Sequence, residues 1–460
     1  MKKKKSAPRR GKQKTLAKPR FVLMPEKGAP LVHLELAILN GALCDPPGKD
    51  GVSSFMLSML LRGTAKYSAE EFHERLDFLG AEISLGKYKE SMRIYGAVLT
   101  EKLPEFLDLL EQMLVFPRFS NEEMEKFREQ IRGAFIDELG SDDDIADRRF
   151  QEYLLWGSPY GRMTSGSLQT IDKIQTEDLR AFHQEYFRAG DFVIGASGGF
   201  DLKPFTKRVE EMLKKLPQGS AGRLQVDAPQ IKKAKTLLLV DKPERSQSQL
   251  MIGSKGVSVE SKDYFALQIA NHVYGGGSFS ARLMKEVREK RGWSYGAYSY
   301  FRAGKKPLYF AMQTVPSNKD TVPALHLLLQ LFRDYAKKGI TKAEFEFAKK
   351  SLVSQAAFLQ DTVRKRLDNK VNEIVLDLPK GFYDRYQSAM KGITYAKVQS
   401  AIRRNMDPSR LFVFILGSVP ALEADLAGIK GFSRIWKRSF DEPPTDLTKA
   451  TPYIVSKSEK

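Results

Sequence analysis

The same ordered signals occur twice along this chain, and that repetition limits the folds open to it more than any other feature. Phe119-Ser-Asn-Glu-Glu-Met124 is matched later by Ile340-Thr-Lys-Ala-Glu-Phe345. In each, a Ser or Thr followed three residues on by Glu forms a capping box at a helix start. The hydroxyl accepts an orphan backbone N–H, and the carboxylate returns the bond. Asp191-Phe-Val-Ile-Gly-Ala196 is matched by Leu411-Phe-Val-Phe-Ile-Leu416, a short apolar strand after a polar helix and a turn in both places. One capping box means little. A pair in the same order as a pair of strands reads as a duplicated unit. Pro217-Gln-Gly-Ser-Ala-Gly222 is the boundary, because Gly, Pro and Ser interrupt neither the amphipathic run Phe205 to Leu216 nor the strand Lys235 to Val240.

Between these points strands and helices alternate. Val32 to Leu43, Ala81 to Leu85 and Met92 to Val98 read as strands, and Ser68 to Leu79, Leu103 to Leu114 and Asn121 to Phe135 as helices. Ser68 and Glu71 make another capping box. In the second half Gln249 to Ile252, Tyr264 to Val273, Tyr298 to Phe301, Tyr309 to Thr314 and Thr321 to Tyr335 take the matching roles. The expected fold class is α+β: two similar domains, each a mixed sheet with helices mainly on one face. The predicted division is a basic arm over 1–20, a first domain over 21–216, a linker over 217–230, a second domain over 231–445 and a polar tail over 446–460.

A chain of 460 residues, 42% hydrophobic, has room for two sizeable cores. The single cysteine, Cys44, excludes an internal disulfide framework. Part of the formal charge of +19 lies in Lys2 to Lys5, Arg9, Arg10, Lys12, Lys14, Lys18 and Arg20, which read as a disordered arm. No apolar h-region follows the arm, so a cytoplasmic location is expected and a periplasmic one stays open. No run is long and apolar enough for a membrane span. No zinc knuckle, RNA-binding aromatic pair or recognition helix is visible, so no specific nucleic-acid partner is expected. The basic excess reads as a solvated surface.

Gly51-Val-Ser-Ser-Phe-Met-Leu-Ser-Met-Leu-Leu-Arg-Gly-Thr64 is the strongest motif. Positions 54 and 58 lie one turn apart on a helix and share a face, a spacing that suits two imidazole ligands. Ser54 and Ser58 are poor neutral ligands for zinc, and Leu57 has no proton chemistry. The segment resembles the zinc-site helix of the M16 (pitrilysin-type) metallopeptidases, in which an inverted His-x-x-Glu-His motif stands at these three positions. The resemblance covers about residues 21 to 445 and implies two homologous domains of LuxS/metallohydrolase-like fold. It also implies a third zinc ligand downstream, where Glu138 is present, and an upstream glutamate, where Ile131 stands. Glu138 alone cannot form the site. The surrounding Gly41, Pro46-Pro47-Gly48-Lys49, Gly63-Thr64 and Trp156-Gly-Ser-Pro-Tyr-Gly161 are also similar to the family, the last with serine in place of histidine.

In the second half, Tyr274-Gly-Gly-Gly-Ser-Phe-Ser-Ala-Arg-Leu283 continues into Glu286-Val-Arg-Glu-Lys-Arg-Gly-Trp-Ser-Tyr295. No Gly-Lys-Ser/Thr follows the glycines, so a tight turn into a helix is the plainer reading than a phosphate loop. By spacing alone, Arg288 belongs to a charged helix face and Tyr295 to strand packing. The run resembles the second-domain signature of the M16 family, whose arginine–tyrosine pair faces the zinc site across the substrate chamber; the resemblance gives that role to Arg288 and Tyr295. The five histidines, His33, His73, His183, His272 and His326, form no close pair that would supply another hydrolytic centre.

The resemblance therefore implies a subunit that binds no zinc itself, is inactive alone and pairs with a zinc-bearing M16 subunit. It would form half of a chamber for unfolded peptides and supply Arg288 and Tyr295. The alternative is a non-enzymatic scaffold subunit of a larger complex.

Overall fold

Short apolar runs and capped amphipathic helices build two sheets in sequence order. The computed structural model describes residues 17–231, 235–427, 429–450 and 452–453. Most of the expected basic arm, residues 1–16, and the tail residues 454–460 lie outside the described residues. The first half runs β1 (Arg20–Pro25), β2 (Leu31–Ile38), α1 (Val52–Met59), α2 (Ala69–Phe78), β3 (Glu82–Lys87), β4 (Met92–Leu99), α3 (Leu103–Val115), α4 (Asn121–Gly140), α5 (Asp142–Leu154), α6 (Leu168–Ile171), α7 (Thr176–Tyr186), β5 (Phe192–Gly198) and α8 (Leu202–Lys214). The second runs β6 (Lys235–Asp241), β7 (Gln249–Lys255), α9 (Tyr264–Asn271), α10 (Arg282–Met284), β8 (Ala297–Ala303), β9 (Pro307–Thr314), α11 (Asn318–Lys338), α12 (Lys342–Gln355), α13 (Val363–Val375), α14 (Tyr386–Lys391), α15 (Tyr395–Asn405), β10 (Leu411–Gly417), α16 (Val419–Leu426) and β11 (Arg434–Ser439). The reciprocal capping boxes at Ser68 with Glu71 and at Thr341 with Glu344 are formed, and Ser120 accepts the Glu123 N–H.

The two sheets share one plan. The first has the order β1-β5-β2-β4-β3, and the second β6-β10-β7-β9-β8 with β11 added beside β6. β1 pairs in parallel with β5, β6 pairs in parallel with β10 and with the added β11, and the remaining pairs are antiparallel. This is the α+β duplication expected from the repeated signals.

The compact units differ from the contiguous division at 217–230. Unit 1 comprises residues up to Phe135, Arg162–Asp227 and Phe358–Tyr383; unit 2 comprises Ile136–Gly161, Ala228–Ala357 and Asp384 onward. The expected linker is held on unit 1 as far as 227. Ala189 and Gly190 donate to the Pro217 and Gly219 carbonyls, and the Asp191 carboxylate binds Ser220 and Ala221.

In unit 1, alternation along β2 sends Val32, Leu34, Leu36 and Ile38 into the main core and turns Ala37 to the opposite face. Along β5, Phe192, Ile194 and Ala196 point one way and Val193 the other. The second face is covered by α13, whose Leu367, Val371 and Val375 pack on Ala37, Leu39 and Val193. Gly195 makes that approach possible: a Cβ there would lie 2.9 Å from a Val371 methyl. Unit 2 repeats the arrangement with α5. Phe150 makes edge contacts with Tyr309 and Phe414 and a tilted contact with Phe412, and a Cβ on Gly253 would lie 2.8 Å from Leu154. Each sheet is thus covered on both faces, and the second cover comes from the other half of the sequence. Helices lie mainly on one face of each sheet, as expected, and the single helix on the second face comes from this exchange.

Candidate functional site

The degenerate motif is a packing element of unit 1. All eight residues of α1 are buried, because core faces surround it on every side. Gly51 starts the helix with φ 104°, and a Cβ there would meet the Ser165 carbonyl at 2.9 Å. Asp45 caps the helix from upstream, accepting the Gly51 N–H at 2.7 Å and the Ser53 N–H at 2.9 Å. Burial pushes its carboxyl up to about 6, against the pull of those bonds. Arg162 clamps the turn before the helix, donating to the Leu43 and Asp45 carbonyls at 3.0 Å each and to Asp50 at 2.9 Å.

Within this frame Ser54 Oγ donates to the Thr164 carbonyl at 2.6 Å, Leu57 belongs to the main core, and Ser58 is buried on the same helix. These are neutral, packed groups, and the donor set does not fit a zinc ion. Glu138 lies in the last turn of α4, where both carboxylate oxygens are held by Arg148, Nη2 to Oε2 at 2.7 Å. Ile131, at the upstream glutamate position, packs partly buried against the unit 1 core. Of the histidines, His183 is held 2.9 Å from the Leu114 carbonyl and stacks on Phe187; burial lowers its pKa.

Unit 2 brings Arg288 and Tyr295 together. Two single π-helical turns, His272–Gly276 and Lys285–Glu289, interrupt this glycine-rich region, and the second carries Arg288. Such turns recur at functional sites. Arg288 Nη1 donates to the Tyr295 carbonyl at 2.9 Å, and its guanidinium carbon lies 5.4 Å from the centre of the Tyr295 ring. Tyr295 is 87% exposed. The nearby acid Glu286 is taken by Lys290 at 2.6 Å and Arg291 at 2.8 Å. Among the described residues, Arg288 has no anionic partner.

Sequence reasoning missed three supporting groups. Nothing in the sequence marks Asp45 as the acceptor of the Gly51 and Ser53 N–H groups, and Arg162 meets Leu43, Asp45 and Asp50 from far along the chain. Phe279 lies with its ring centre 5.0 Å from the Arg288 guanidinium carbon. A large apolar residue within a turn of Gly and Ser was the available signal.

Comparison with known proteins agrees with this geometry. The insulinase (peptidase family M16) profile matches residues 20–143, and the peptidase M16 inactive domain profile matches residues 173–352. The chain belongs to the M16 peptidase family. It is 23% identical to the non-peptidase homolog YmxG of Helicobacter pylori over 85% of this chain and 89% of that protein. It is 26% identical to the uncharacterized zinc protease YmxG of Bacillus subtilis over 84% of this chain and 93% of that protein. The crystal structure of a peptidase M16 inactive domain from Pseudomonas fluorescens superposes with a TM-score of 0.80 at 23% identity, covering 87% of this chain and 95% of that one. A protease from Helicobacter pylori superposes at 0.75 and 14% identity, covering 89% and 100%. At these identities the superpositions establish the fold alone. Among the described residues no group of three or more His, Cys, Asp or Glu is placed to hold a metal ion. With Ser54, Leu57 and Ser58 in the motif, this member carries a degenerate zinc site. Among the described residues no helix is long and apolar enough to cross a membrane.

Proposed function

We propose that this chain is the accessory, non-metal-binding subunit of a heterodimeric zinc-dependent M16 peptidase, forming half of its peptide chamber. The observation that carries the reading is the Arg288–Tyr295 pair: an arginine with no anionic partner among the described residues, beside an 87% exposed tyrosine. A zinc-bearing M16 subunit would supply the metal. On this chain, Arg288 donates its remaining N–H groups to a substrate carbonyl, and the Tyr295 hydroxyl donates to the oxygen on which negative charge builds. Among the described residues strand β3 pairs only with β4, which leaves one edge for an extended, unfolded peptide.

The test is turnover of an unfolded peptide with the zinc-bearing subunit present. Tyr295→Phe keeps the ring and removes the hydroxyl, and is expected to lower kcat about 30- to 1,000-fold with assembly intact. Arg288→Ala is expected to lower kcat/KM, with part of the loss in KM. The name of the Helicobacter pylori relative, a non-peptidase homolog, favours the second reading, a scaffold subunit of a larger complex. Unchanged rates in both variants would establish that second reading over the first.

A further inference from the structure

The turn that carries Phe279 is strained, and the strain sets where the ring stands. Phe279 is 59% exposed, and it follows Ser278, which adopts the left-handed conformation with φ 53°. That conformation is unfavourable for a residue with a Cβ, and such strain gathers where geometry serves a site. The turn is kept in place by Ser280, whose hydroxyl donates to the Gly277 carbonyl at 2.8 Å. Its effect is to set the Phe279 ring 5.0 Å from the guanidinium carbon of Arg288, while the Tyr295 ring lies 5.4 Å from the same atom. Two aromatic rings and one carbonyl therefore fix a guanidinium that no carboxylate neutralises among the described residues.

We infer that Phe279 is a positioning residue: it and Tyr295 hold the planar Arg288 guanidinium between their rings, so that its free N–H groups meet a peptide carbonyl already oriented. This rests on the peptide-binding reading of Arg288. Aromatic contact restrains the guanidinium without neutralising it, which an ion pair with Glu286 would not do. Lys290 and Arg291 keep that acid occupied.

The experiment has two arms. In the full chain labelled with 15N-arginine, the Arg288 Nε–H resonance is identified by its loss in Arg288→Lys and is expected upfield from ring currents. Phe279→Ala and Phe279→Leu are expected to return it to the position of a solvated arginine, and Phe279→Tyr to preserve it. In the second arm, fluorescein-labelled, reduced and carboxymethylated α-lactalbumin serves as a permanently unfolded polypeptide. Its affinity is expected to fall about tenfold in the Ala and Leu variants and to be kept in the Tyr variant. An unmoved resonance in Phe279→Ala, or a moved resonance with unchanged affinity, overturns the inference. Failure of the wild-type chain to bind, with its Arg288 resonance still upfield, instead defeats the peptide-binding reading on which the inference rests.

Discussion

Glu35 offers a sharp test of how the exchanged helix α13 sits on its sheet. Glu35 is 1% exposed on the face of β2 that α13 covers; one carboxylate oxygen accepts from Arg93 at 2.5 Å, and Asp368 of α13 stands close to the carboxylate. Arg93 in turn donates to Asn372 of α13 at 2.6 Å. His33 on β2, Glu82 on β3, Tyr95 on β4, and Arg364 and Asp368 on α13 line the small cavity beside Glu35. Burial pushes the Glu35 carboxyl up to about 7; Asp368 adds to the push and Arg93 opposes it. The ordinary value is 4.5. At about 1.4 kcal/mol per pH unit, the gap amounts to about 3 kcal/mol. Below pH 4.5 both states hold the proton and there is no cost. As pH rises, the unfolded chain ionises first, and folded stability is lost until the folded group ionises near 7. Glu35→Gln mimics the protonated acid. It is therefore expected to match wild type near pH 4.5 and to be more stable by about 3 kcal/mol at pH 8. Trp156, Trp293 and Trp436 all belong to unit 2, so tryptophan fluorescence is the wrong probe. Urea unfolding followed by circular dichroism, with hydrogen exchange of the α13 amides, reads unit 1. A Gln variant less stable than wild type at pH 8 would show that the Arg93 ion pair outweighs burial and would refute the reasoning.

Phe150→Ala removes the ring that joins α5 to three aromatic neighbours, and is expected to cost about 3–5 kcal/mol; here the tryptophans are the right probe, through the urea midpoint of unit 2. Gly195→Ala places a Cβ 2.9 Å from a Val371 methyl and is expected to cost about 1–3 kcal/mol. Combined with Val371→Ala, the loss should be smaller than the sum of the two single losses, and a strictly additive double variant would sink the packing argument. The purified chain, incubated with zinc and desalted, is expected to retain no stoichiometric metal and to melt identically with a chelator present. One tightly held zinc per chain, lost in Glu138→Ala, would overturn the degenerate-site assignment.

Local chemistry was legible where neighbours in sequence are neighbours in space. The capping boxes at Ser68 and Thr341, and the strands from Lys235, Gln249 and Leu411, appear where apolar runs and turns place them. Strand β1 was hidden, because Arg20 and Phe21 follow a basic run and pair in parallel with Val193 and Ile194 far along the chain. The exchange was hidden for a related reason. Ile145, Phe150 and Leu154 on α5, or Leu367 and Val371 on α13, show that a helix has a buried face but not which sheet receives it. At the candidate site, the spacing of Arg288 and Tyr295 pointed to a pair only through the family pattern. The aromatic contact of Phe279 depends on the left-handed turn at Ser278, which nothing in a Ser-Phe-Ser run announces.

The exchange of α5 and α13 also sets the order in which the protein can be made. Unit 1 has all its strands by Gly198, yet its last segment ends at Tyr383. At roughly 5–20 residues per second, synthesis from Asp227 to Tyr383 takes on the order of 10–30 s. Throughout that interval the face carrying Ala37 and Val193 has no cover. Glu35 and Arg93 lie on the same face, and in the nascent chain they are two solvated charges among apolar neighbours. Charges facing into an uncovered sheet surface discourage self-association.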